Sequence, residues 1–342
     1  MRDLREVFSA LESSAFRRNF SLGPKELDYL TRKGMATIVE HARDFIERRL
    51  AGPRCDGHYP MAGKPGEAVQ LIRKLALFLA ALALLPASAA AQLRPLEPVQ
   101  WRLFEGCKTV AAQIGGARLF DQRASLAGTT GDLWEAGNFA VAWRTGRVVL
   151  EAAGTVQRIF HETGTFDTPY PDVEASDEGR RHDSGDYRVS TTVRLTPSRF
   201  PFDGVVRFGT RLPTTDNTTG LDRDALDFFA TVGALFNSGP FALAGETGVG
   251  IHTTREQQFE QDDLLLYALR GEYRMSLVTP SFAVLGQKHG TTHSSIRGVE
   301  NLGEMRAGIR VGRSAWIRVE YVRGYETFSP SSGVIVTAGL IR

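Results

Sequence analysis

Cysteine is nearly missing from this chain. Its 342 residues include two, Cys55 and Cys107. They fall on opposite sides of a small-residue cleavage point at Ala89–Ala91, so the exported part keeps one thiol; that excludes an internal disulfide framework and a Cys-based zinc site. Lysine is scarce too. From Gln92 onward there are 27 Lys and Arg against 29 Asp and Glu, and only Lys108 and Lys288 are Lys. The whole chain carries a net charge of +2, which gives nucleic acid no electrostatic footprint to follow. Past Gln92 no apolar run comes near the roughly 20 residues of a membrane helix. No P-loop, no dinucleotide-binding glycine fingerprint and no HExxH pair is present. The expectation is no cofactor, no resident metal and no nucleic-acid partner.

What is present begins with Leu71–Gln92, LIRKLALFLAALALLPASAAAQ. Arg73 and Lys74 form a basic start, Leu75–Leu85 is unbroken apolar, Pro86 stops the run, and Ala89–Ala91 supplies the cleavage site. This is the order of a secretory signal peptide, here over 71–91. Its position is unusual, because such signals stand at the N-terminus.

Residues 1–50 carry helical periodicity: Leu4, Val7, Phe8 and Leu11, then Leu27 and Leu30, then Ile38, Ala42, Phe45, Ile46 and Leu50, with Gly23-Pro24 opening a new helix. Residues 51–70 hold Pro53, Gly57, Pro60, Gly63, Pro65 and Gly66 and form a linker. The stretch MRDLREVFSALESSAFRRNFSLGPKELDYLTRKGMATIVEHARDFIERRL resembles the opening of a small bacterial domain family of unknown function. That family continues into a Cys- and His-rich half, and here the signal peptide takes its place, so no site carries over. Two readings of this helical segment compete: a tethered domain in front of an exported protein, and, favoured because an export signal is hard to use after a folded segment, a mis-joined or mis-started frame with initiation near Met61 or Val69.

After Gln92 the period changes from helical to two. In Glu304–Gly312, EMRAGIRVG, Met305, Ala307, Ile309 and Val311 face one way and Glu304, Arg306, Gly308 and Arg310 the other. Gly312-Arg313-Ser314 turns the chain, and Ala315, Ile317, Val319 and Tyr321 alternate with Trp316, Arg318 and Glu320. Twelve such strands tile the rest: 109–120, 131–143, 147–160, 184–195, 202–212, 225–236, 241–252, 264–274, 280–288, 302–311, 315–325 and 333–342. Short and long links alternate between them. The fold class expected for 92–342 is all-β, an antiparallel transmembrane β-barrel of about 12 strands, with tight turns on one rim and long loops on the other. A soluble sandwich or barrel would alternate equally well. Two features favour the membrane: a polar face rich in Arg and Glu, and aromatics at strand ends, namely Trp143, Phe160, Phe236, Phe241, Tyr273, Trp316 and Tyr325. An even strand count places both ends of the barrel chain on the periplasmic side.

Val206–Leu221, VRFGTRLPTTDNTTGL, with the strand 227–236 after it, resembles outer-membrane barrels associated with the meta-cleavage pathway of phenol degradation. The likeness covers roughly 184–342, and Thr215 stands where those proteins have Gly. It implies a transport-related conduit or binding barrel without naming a cargo.

The pore-lining residues expected on the polar face are Arg188, Arg194, Arg207, Arg211, Glu246, Arg270, Glu272, Arg274, Glu304, Arg306, Arg310, Arg318 and Glu320. In a narrow lumen these pair across strands, either as plain packing or as an electrostatic lining. The acidic loops 161–183 and 213–227 are expected to carry solvated charge. The expected location is the outer membrane, and the expected partners are its lipid, the barrel-assembly machinery and a small-molecule cargo. No enzymatic activity is expected. Alternatives are a lipid hydrolase using His293 with Ser294 or Ser295, and a purely structural barrel.

Overall fold

The computed structural model describes residues 94–104, 108–185, 187–196, 202–212, 214, 216–222, 226–252, 262–289 and 299–342. The helical segment, linker and signal peptide expected from the sequence lie outside these residues, as do His293, Ser294 and Ser295.

A short 3₁₀ turn, Trp101–Phe104, precedes thirteen strands: β1 (Val110–Ala124), β2 (Thr129–Thr145), β3 (Val148–Thr165), β4 (Arg180–Asp183), β5 (Tyr187–Arg194), β6 (Phe202–Leu212), β7 (Asp227–Ser238), β8 (Phe241–His252), β9 (Asp262–Tyr273), β10 (Val278–His289), β11 (Leu302–Gly312), β12 (Ala315–Gly324) and β13 (Ser332–Ile341). Each pairs antiparallel with its neighbours, and β1 also pairs with β13 from Ala111↔Ile341 to Phe120↔Ser332, which closes the ring. β4 and β5 are two parts of one stave. Both pair with β3 in the same register, Arg158↔Asp183 above and Gly154↔Tyr187 below. The barrel therefore has the twelve staves expected, and the tiles at 202–212 and 241–252 fall on β6 and β8 without a shift.

The short turns gather on one rim. Gly146 and Gly239 there have φ of 59° and 57°, the left-handed conformation that two-residue hairpins demand and glycine adopts at no steric cost. Both ends of the barrel chain meet at this rim, where Thr109 and Val110 donate their amides to the Arg342 carbonyl at 2.6 and 2.9 Å. At the other rim the first link differs from expectation: β1 and β2 climb further, leaving only Ser125–Gly128 between them. Longer links pack onto this tower. Phe166 and Asp167 donate to Gly128 O, Tyr170 to Leu126 O, Ala127 to Gly220 O and Glu174 to Thr218 O, so the links interlock as a cap. Leu119, Leu133, Phe160 and Leu221 form a buried cluster within it.

Side-chain polarity is the reverse of a water-soluble barrel. Phe208 is 50% exposed and its neighbour Arg207 3%; Ile309 is 53% exposed and Arg310 6%; Val319 is 47% exposed and Glu320 2%. Exposed Val, Leu, Ile and Phe recur around the circumference on β5 through β13. An apolar surface so continuous would drive association in water. Hydrocarbon removes that penalty, and a closed ring leaves no unpaired strand edge facing it. The fold is a transmembrane β-barrel. Phe236, Phe241 and Tyr273 form an aromatic group at the short-turn rim, with Phe241 and Tyr273 ring centroids 4.8 Å apart. Phe160 and Trp316 do not join it. Phe160 is fully buried in the cap cluster and Trp316 lines an interior cavity, because both sit on inward positions of their strands.

Val319 lies mid-strand on the apolar face. Val319→Arg should lower stability by about 2–4 kcal/mol in lipid. Reversible urea unfolding from liposomes measures this, and a near-zero change would place that face in water.

Candidate functional site

Twelve strands enclose more space than their own inward side chains fill. Residues 94–104 occupy it. This segment makes no strand pairing and runs inside the barrel towards the short-turn rim, where β1 begins. Val99, Trp101, Leu103 and Phe104 pack on Ala142, Val149, Val205, Leu235, Ala242, Ala244 and Ile341. Gly233 is needed on this wall, since a Cβ there would stand 2.8 Å from the Gly245 carbonyl oxygen and 3.2 Å from the Trp101 ring. Further up, Leu96 packs with Phe229, Leu264, Leu266 and Val299. That explains why Leu264 and Leu266 interrupt an otherwise polar inner face.

Ion pairs fix the segment. Arg94 reaches Glu135 at 3.0 Å and Glu304 at 3.4 Å. Glu97 takes Arg306 at 2.8 Å, and its carbonyl accepts from Arg207 at 2.8 Å. The Val99 amide donates to Glu246 at 3.2 Å, Arg102 meets Glu272 at 3.4 Å, and Arg144 donates to the Leu103 carbonyl at 2.6 Å. Glu135 points inward because Gly137 forms a bulge: Gly115 faces Asn138 and Gly116 faces Ala136, so the inward parity changes across it.

The expected lumen residues are placed as follows. Arg207 is a hub, 3.3 Å from both Glu151 and Glu246. Arg211 meets Asp222 at 3.1 Å and Asp227 at 2.8 Å. Arg270 joins Glu320 at 2.7 Å and Glu272 at 3.4 Å, Arg274 lies 3.7 Å from Glu272, and Arg318 lies 3.2 Å from Glu320. Arg306 and Glu304 are 2.7 Å apart. Arg194 pairs with Asp203 near the short-turn rim, Arg310 touches Thr279, and Arg188 is half-buried opposite Arg211 in the ladder. The inner wall is thus mostly paired charge. Asp222 and Asp227 correct the picture of solvated loop carboxylates: both are buried, and Asp222 also holds Arg158 at 3.2 Å, because the link after β6 dips into the mouth.

Sequence reasoning missed Arg94, Glu97, Arg102, Glu135, Arg158 and Asp222. The inserted segment gave one readable signal: Leu96, Val99, Trp101, Leu103 and Phe104 mixed with three charges just before the first strand.

Residues 5–69 match a family described as a domain of unknown function (DUF4186). That match lies wholly before the described residues and does not reach the barrel. The chain is also similar to several solved structures. The translocator domain of the autotransporter NalP from Neisseria meningitidis is 11% identical, with 70% of this chain and 90% of that one covered and a TM-score of 0.38. The outer membrane channel DcaP of Acinetobacter baumannii is 10% identical, with 69% and 97% covered and a TM-score of 0.35. The outer membrane phospholipase A from Escherichia coli is 10% identical, with 68% and 95% covered and a TM-score of 0.36. Likeness at this level is one of barrel architecture alone.

Burial alone would raise the Glu97 carboxyl, but the guanidinium groups of Arg306 and Arg94 override it and hold it well below the usual carboxylate range. About a third of that side chain stays open to the lumen. A depressed carboxylate contributes its stability above its unfolded pKa, about 4.3, and loses it as pH falls below that. The hydrogen-exchange protection factor of the 94–104 peptide, corrected for the intrinsic pH dependence of amide exchange, should therefore hold from neutral pH to about 5 and fall only under stronger acid; a fall already between pH 7 and 5 would contradict this. Glu304 is fully buried between Arg94 and Arg306. Glu304→Gln should cost about 3–5 kcal/mol in urea unfolding, while Arg118→Gln, at an exposed pair with Asp132, should cost at most about 1 kcal/mol.

Proposed function

We propose that residues 92–342 form an outer-membrane barrel of a diderm bacterium that binds or passes small polar molecules, closed in this state by its own residues 94–104. One observation carries the reading: the lumen is filled by a segment that belongs to no strand and is held by side-chain ion pairs and a modest apolar contact. Such a filling can move while the wall stays intact. The reading brings the signal at 71–91 into use as the export device, with outer-membrane lipid and the barrel-assembly machinery as the surroundings the chain meets. The resemblance of 206–221 to barrels of the phenol meta-cleavage pathway supports a transport-related conduit or binding barrel and leaves the cargo open. No catalytic role is assigned. A lipid hydrolase using His293 with Ser294 or Ser295 is the alternative, and lipid-deacylase assay of Ser294→Ala and Ser295→Ala tests it.

A second reading, a purely structural barrel, has an observation in its favour: the cavity left between the segment and the wall is only about 70 Å³. Planar-bilayer recording separates the two. The wild type should conduct little. Arg94→Gln with Glu97→Gln, folded by heat-modifiable mobility, should conduct at least several-fold more. If the folded double variant conducts no more than the wild type, the conduit is refuted and the structural barrel stands.

A further inference from the structure

Two cavities adjoin at the short-turn mouth. The inner one, about 70 Å³, lies between the inserted segment and the wall; the outer one, about 430 Å³, opens at the rim. Arg102, Arg274, Thr279 and Arg310 line both, and Lys108 and Arg313 join them in the outer one. Among the described residues that line the two, Glu272 is the acidic side chain, and it is shared by Arg102, Arg270 and Arg274 at 3.4, 3.4 and 3.7 Å.

Arg310 stands apart from the other inward arginines. It is 6% exposed, its Nη2 donates to Thr279 Oγ1 at 2.9 Å, and its Nε has no hydrogen-bond partner. No carboxylate among the described residues forms a salt bridge with it. The ladder sets it beside Thr279 on one side and Arg318 on the other, and Arg318 is engaged with Glu320 at 3.2 Å. A guanidinium enclosed without a counter-charge is unfavourable, and its planar fork matches two oxygens of one anion.

We propose that this mouth is a binding site for a small oxyanion, a carboxylate or phosphate group, with Arg310 as the inner donor and Arg102 and Arg274 at its sides. Thr279 supplies a hydroxyl at the same depth, and Lys108 and Arg313 draw anions to the rim by long-range attraction. This gives the charge class of the molecules the barrel takes, and it rests on the proposed function only in needing that mouth open to water.

The test uses the full chain folded in phospholipid-free detergent, so that added inorganic phosphate is the one phosphate present. Trp101 and Trp316 line the inner cavity, so their emission reports occupancy. At fixed ionic strength, phosphate should change the emission saturably. Losing a charged bidentate donor should move the midpoint about tenfold or more upward in Arg310→Gln, and Arg118→Gln at the opposite rim should leave it in place. A second measurement needs no variant: phenylglyoxal labelling of the wild type, mapped by mass spectrometry, should show Arg274 protected by phosphate and Arg118 unprotected. Equal midpoints in the two variants, or labelling that phosphate does not alter, overturns the site. Binding is read here and passage is not: a barrel that binds phosphate yet conducts nothing keeps this site and loses the conduit.

Discussion

A ring of twelve paired strands has a fixed circumference, and the interior it encloses cannot shrink around its own side chains. Every other feature answers that constraint. The β1–β13 pairing sets it, holding Ala111 against Ile341 across nearly the whole barrel sequence. Once the ring is closed, the space within must hold water or protein. Here it holds protein from two directions: residues 94–104 on the short-turn side, and the dipping link around Leu221 and Asp222 on the long-loop side.

Charge then decides how that protein is held. Lipid outside forbids ionic groups on the outer face, so arginines and glutamates have one place to go. Brought together in a confined lumen, they are stable only when paired and hydrogen-bonded. Arg207 shows the economy of the arrangement: one guanidinium serves two strand carboxylates and the Glu97 carbonyl, so wall and filling share a donor. Arg158 does the same between Glu135 and Asp222, tying the wall to the cap.

The wall was legible in the sequence because period-two alternation is a local property. Met305, Ile309 and Val311 against Glu304, Arg306 and Arg310 state their two faces within nine residues, and the structure puts one set on the outer surface and the other inside. Which face was which came from the richness of the polar set in arginine, not from the alternation. The contents of the lumen were not legible in that way. Nothing local in Arg94–Phe104 says that Arg94 will meet Glu304, 210 residues away; that contact exists only after the ring closes. The break between β4 and β5, the Gly137 bulge and the inward turn of Phe160 were hidden for the same reason: each depends on what lies across the barrel. Where aromatic residues mark strand ends, position along the strand was readable, but the face depended on parity.

The filling is joined to the wall by only residues 105–109, between Phe104 and Val110. Under the proposed opening, so short a stretch of sequence would keep the released segment at an effective concentration on the order of millimolar at its own seat. Release is therefore never escape. In such an opening each withdrawal would be met at once by return, so weakening the contacts would alter the fraction of time the mouth stands clear and leave the stoichiometry untouched. Dilution does nothing to such an equilibrium, and one copy cannot obstruct another. An opening of that kind would be set by dwell times and not by dose.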